Sequence, residues 1–87
     1  MKSDKHLIRV LVKYPKDEDF PLSEFELEGV ELQKLQLLFQ ESPDEPMYDC
    51  YQVSKGQAKY LQKYVNEKID LASYDYFLEC YSKDYYG

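Results

Sequence analysis

The chain has no tryptophan, one histidine, two cysteines and three glycines in 87 residues. Each scarcity excludes a class of chemistry. Gly29, Gly56 and Gly87 are too scattered to build a phosphate-cradling loop. His6 is the sole imidazole and falls where the first strand should fray, so general acid–base catalysis lacks a positioned set of groups. Cys50 and Cys80 are far apart with no CxxC pair, which gives neither metal spacing nor a redox motif, and free thiols are expected. Nothing in the sequence supplies Cys50 with the activating partners a thiol nucleophile needs. Carboxylates are plentiful, yet no pair is marked as a glycosidase pair would be. The expectation is therefore a protein without catalytic, cofactor-binding or metal-ligating residues, and not an enzyme. Long apolar runs are missing too. Leu7 to Val12 is broken by Arg9 and is too short to span a membrane. The N-terminus lacks the apolar run and cleavage site of a signal peptide, so a cytoplasmic protein with no membrane partner is expected.

What is present suits one soluble globular domain over residues 1–87, long enough for a single modest core. Hydrophobic residues are 44% and charged residues 32% of the chain, away from disordered compositions. Ten tyrosines supply apolar area with a polar tip, useful in a core and at surfaces that meet partners. The net charge of −6 is unevenly spread: residues 15–49 hold eleven acidic side chains against Lys16 and Lys34, a local −9, and the remainder is +3. Such a surface attracts a basic protein and repels phosphates, so nucleic acid is not an expected partner. A solvated face kept for solubility is the plainer explanation of the same charges.

Periodicity sets the elements. His6 to Tyr14 is short and β-branched, hence a strand ended by Pro15 and the Lys16-Asp17-Glu18-Asp19 turn, with Ile8, Val10, Val12 and Tyr14 expected inward. Glu24-Phe25-Glu26-Leu27-Glu28 alternates strictly, turning Phe25 and Leu27 inward and three carboxylates outward. After Gly29, Val30 to Gln40 places Leu35, Leu38 and Phe39 at helical spacing, with Glu31, Gln33, Lys34 and Gln36 largely off that stripe. Pro43 and Pro46 make a loop, and Met47 to Val53 reads as a third strand. Ser54-Lys55-Gly56-Gln57 fits a capping box opening a second helix, with Ala58, Leu61 and Val65 inward and Lys55, Lys59 and Lys63 solvated. Tyr74 to Tyr81 is a fourth strand whose more apolar face carries Tyr74, Tyr76, Leu78 and Cys80.

The order β-β-α-β-α-β predicts an α+β fold: one four-stranded antiparallel sheet with two short helices on one face. The other face would then carry Leu7, Arg9 and Leu11, the glutamates Glu24, Glu26 and Glu28, and Tyr48, Cys50 and Gln52, beside the acidic turn Asp17, Glu18 and Asp19. That mixture of charge and aromatic area has the composition of an interface, or of an ordinary half-wet sheet.

Asp49-Cys50-Tyr51-Gln52-Val53, Leu61-Gln62-Lys63-Tyr64-Val65-Asn66, Ile69-Asp70-Leu71, Tyr76-Phe77-Leu78 and Lys83-Asp84 carry a resemblance. In these residues the chain resembles the immunity proteins of cloacin and the related ribosome-inactivating colicins. The similarity runs without gaps from the Leu61-Gln62-x-Tyr64 stretch to the end and, with the third strand, covers a little under half the chain. The opening strand followed by Tyr14, Lys16, Asp17, Glu18, Asp19 and Phe20 is similar more loosely. The middle departs, reading as a fuller helix where the family has a loop-like, glycine-containing segment. The resemblance implies a four-stranded antiparallel sheet whose acidic face grips the basic ribonuclease domain of a toxin. It implies that Cys50 faces the partner with Tyr51 and Val53 toward the core, in agreement with the alternation. It also matches Tyr14 to a partner-facing aromatic, whereas strand parity turns Tyr14 inward, and both placements stay open. The departing middle leaves the identity of the toxin open, and similar small domains accompany contact-dependent and other polymorphic toxins.

The expectation is thus a non-catalytic protein that binds a basic nuclease toxin domain through Tyr14, Asp17, Glu18, Asp19, Glu24, Glu26, Glu28, Tyr48, Cys50 and Gln52. The alternative is a regulatory or scaffold domain whose acidity serves solubility. Oligomeric state is not legible in the sequence.

Overall fold

A computed structural model describes residues 7–82. His6 and the tail from Lys83 lie outside the described residues. The elements run β1 (Leu7–Pro15), β2 (Ser23–Glu26), α1 (Leu32–Leu38), β3 (Tyr51–Gln52), α2 (Lys55–Leu61), a 3-10 turn (Gln62–Tyr64) and β4 (Tyr74–Ser82). All strand pairs are antiparallel in one sheet of order β2-β1-β4-β3, the α+β arrangement expected from the element order. No helix among the described residues is long and apolar enough to cross a membrane.

β1 and β4 form the centre, paired from Leu7↔Ser82 to Pro15↔Tyr74. The register sets the faces, because directly opposed residues share one side of the sheet. Leu11 lies opposite both Phe25 and Leu78, and Tyr51 also lies opposite Leu78. This side is the main core. Leu11, Leu27, Leu35, Met47, Val53, Ala58, Leu61, Tyr76 and Leu78 are buried together, so α1 and α2 both pack here.

The parity of β1 is therefore the reverse of the one expected. Leu11 goes under the helices, with Leu7, Arg9 and Lys13 on the same parity, while Ile8, Val10 and Val12 form a smaller cluster on the opposite face with Tyr14 and Tyr81. Val10, Leu11, Val12 and Lys13 are all buried. A central strand crowded on both sides has no clear apolar alternation, and its hydropathy cannot choose a face; the register against β4 does. The two cations on the core side are used locally. Arg9 donates to the carbonyls of Met47 and of Pro46 (2.9 Å), and the Lys13 ammonium pairs with Glu67 while lying 4.2 Å from the centre of the Tyr74 ring.

Other elements differ in extent. β3 is only Tyr51–Gln52, because Met47 takes a left-handed φ of 58° and buries its side chain in the core, which breaks the extended run expected from Met47. α1 is shorter than Val30 to Gln40, and Gln40 leaves the helix with φ 58°. Gln36 is buried rather than solvated, its amide donating to Pro43 O (3.1 Å) and Glu45 O (2.8 Å), so the helix holds the proline loop. Gly29 bridges β2 and α1 at φ 84°, where a side chain would be strained. The capping box of α2 is present, with the Ser54 amide donating to Gln57 Oε1 at 2.9 Å, and Ala58 and Leu61 face inward.

Candidate partner-binding surface

No described element packs on the second face of the sheet, so its chemistry follows from strand parity. Val10 lies between Glu26 and Glu79, Val12 between Glu24 and Phe77, and Tyr14 opposite Asp75; Gln52 lies opposite Phe77. All nine of these residues share the face. Glu24, Glu26 and Gln52 are exposed.

Glu79 sits at the centre. It is only 9% exposed, and its two carboxylate oxygens each accept a phenol: Tyr14 donates to Oε2 at 2.9 Å and Tyr81 to Oε1 at 2.8 Å. Among the described residues no Lys or Arg pairs with it. The Tyr14 ring meets Phe77 edge-on, with centroids 5.4 Å apart. Burial, the hydrogen bond to Glu79 and that group's negative charge together push the Tyr14 phenol up to about 12. The same causes raise Tyr81 still further. Both phenols stay protonated donors at neutral pH.

Tyr14, Cys50, Asp75, Phe77 and Glu79 line a depression that Asp17, Glu18 and Asp19 also border. Partial burial of the Cys50 sulfur, then the charges of Glu79 and Asp49, raise its thiol and disfavour the thiolate. Lys16 pairs with Asp75 at 2.9 Å. This face and the turn beside it thus carry Asp17, Glu18, Asp19, Glu24, Glu26, Asp75 and Glu79 against one ammonium among the described residues, that of Lys16. Phe20 and Leu22, next along the chain from the acidic turn, are 54% and 48% exposed.

The structure thus gathers Tyr14, Asp17, Glu18, Asp19 and Cys50 into one depression and sets Glu24, Glu26 and Gln52 on the same sheet face. Tyr14 takes the outward placement. Glu28 falls beyond the end of β2 and lines a separate cleft with Glu26, Gly29 and Glu31, so the line of three glutamates is a line of two. Tyr48 is 55% exposed but precedes β3, where no strand pairing aims it. Arg9, Leu7 and Leu11, expected outward, belong to the helix side.

Asp75, Phe77, Glu79 and Tyr81 are the residues that sequence reasoning missed. A signal existed: with Tyr76 and Leu78 inward, a period of two turns their odd-numbered neighbours outward.

A model of the family described as domain of unknown function (DUF7683) matches residues 8–79. No curated protein matches the chain.

Proposed function

We infer that this chain, which belongs to the DUF7683 domain family, is a non-catalytic immunity protein that holds and neutralises a basic nuclease toxin domain in the cytoplasm. The observation that carries the reading is the division of charge across the sheet. Arg9 and Lys13 spend their cations on the helix side, against loop carbonyls and Glu67, so the other face keeps carboxylates from β2, β4 and the 16–19 turn. Aromatic rings stand among those charges, Tyr14, Phe77 and Tyr81 on the sheet and Phe20 beyond it. Interfaces work through such anchors inside a charged surround: charge speeds encounter, and buried rings hold the complex. The sequence resemblance to cloacin-type immunity proteins names the kind of basic partner that this face suits.

The test pairs the chain with the basic C-terminal domain encoded by the gene immediately upstream. Stoichiometric addition of the chain should abolish RNA cleavage by that domain. Undiminished cleavage, or an upstream gene with no such domain, would overturn the reading. A scaffold role for the same face is separated by charge reversal at Glu24 and Glu26, which removes protection only if the face neutralises the nuclease.

A further inference from the structure

We propose that Glu79, framed by Tyr14, Phe77 and Tyr81, is the receptor for one arginine side chain presented by a basic protein partner. The inference rests on reading this face as a partner surface, and adds which group docks where. It does not rest on the abundance of carboxylates nearby. Those of Glu24 and Glu26 are exposed to solvent, whereas Glu79 is more than nine-tenths removed from water and lines a depression open to the outside.

A buried carboxylate ordinarily has a cationic partner, because neutral donors offset its lost hydration only in part. Glu79 has two neutral donors and, among the described residues, no cation. Neither purely structural need accounts for that arrangement: packing alone would be served by an apolar residue, and a polar bridge between the two phenols by glutamine. Each oxygen has spent one acceptor site on a phenol and retains another, so the carboxylate can still accept two parallel N–H groups.

The chemistry of the groups around Glu79 favours guanidinium over ammonium. A planar fork matches the two free acceptor sites, and it stacks on aromatic faces such as those of Tyr14 and Phe77, which an ammonium meets only as a point charge. The phenols are neutral donors and add no second negative charge; their two hydrogen bonds hold the carboxylate in one orientation before the partner arrives. The acidic turn then serves as the electrostatic entrance, and Lys16, already paired with Asp75, does not compete.

The experiment titrates the isotope-labelled full chain with arginine amide and, at matched ionic strength, with lysine amide, following the Glu79 carboxyl carbon and the Tyr14 and Phe77 rings by NMR. Saturable shifts that arginine amide produces at several-fold lower concentration than lysine amide, and that Glu79→Gln abolishes while Glu31→Gln, in the separate cleft, retains, support the subsite. Shifts that are linear in concentration, equal for the two amides or unchanged in Glu79→Gln overturn it. Thermal unfolding of Glu79→Gln separates a binding role from a structural one: the glutamine variant should melt no lower than the parent, whereas a carboxylate kept for stability would lower the midpoint on removal. With the upstream nuclease domain, Glu79→Gln should weaken the complex by about thirtyfold or more. If the nuclease binds both forms equally, the subsite fails and the immunity reading stands. If the nuclease does not bind but arginine amide saturates the parent, the immunity reading fails and the subsite stands.

Discussion

At the scale of single residues, the unusual chemistry is concentrated in the pair of phenols on Glu79. Tyr14 is pushed up to about 12 and Tyr81 is raised as well, so the fold favours both in their protonated form. That contribution to stability is complete below the ordinary phenol value near 10 and is lost as pH rises through the folded values. Unfolding free energy is therefore expected to fall between about pH 9.5 and about pH 12. Tyr14→Phe and Tyr81→Phe should each flatten this alkaline loss. At neutral pH each should also cost about 1.5 kcal/mol or more, the worth of a hydrogen bond to a charged group. Urea midpoints taken at neutral and alkaline pH check both; equal alkaline slopes in parent and variants would contradict the role given to the phenols.

At the scale of elements, β2 is the informative strand because it is an edge that buries little and displays much. Phe25 packs against the core while Ser23–Glu26 pairs only with β1, leaving Glu24 and Glu26 exposed. Reversing both to lysine should change stability by no more than about 0.5 kcal/mol each, as surface substitutions do. Association with a basic partner should slow sharply, since like charge at an interface rim acts on the encounter rate. Glu28→Lys, beyond the strand end and in another cleft, should slow it less. Stopped-flow association of the three variants measures the contrast, and equal rates would remove β2 from the interface. The alternation Glu24-Phe25-Glu26-Leu27 was legible because an edge strand with one wet face keeps its period of two. The alternation in β1 was not, because Val10, Leu11, Val12 and Lys13 are all covered and both faces look apolar.

At the scale of the whole molecule, charge is separated across the sheet. Lys55, Lys59 and Lys63 are exposed along α2 and its 3-10 continuation on the helix side, while the carboxylates of β2, β4 and the turn occupy the other. With principal extents of 39 × 28 × 22 Å, the molecule presents a dipole as well as a net charge, and a basic body approaching it is turned toward the acidic face. The rate of complex formation should accordingly fall as salt rises from about 0.01 M to about 0.15 M, over which the screening length contracts from about 30 Å to about 8 Å. Dissociation should change little over that range, because the buried anchors are screened less. A salt-independent association rate, measured by the same stopped-flow assay, would contradict steering.

By itself the sequence determined the order of elements, the capped start of α2, the inward faces of β2 and β4, and the excess of carboxylate in residues 15–49, since each depends on neighbours a few positions apart. Tertiary structure alone decided which side of β1 meets the helices. With that choice it decided that Arg9 and Lys13 leave the acidic face, that Tyr14 joins it, and that Glu79 comes to lie between Tyr14 and a second phenol on its own strand. The physical reason is register: Tyr14 and Glu79 are 65 positions apart in sequence, and only antiparallel pairing of β1 with β4 brings the phenol onto the carboxylate.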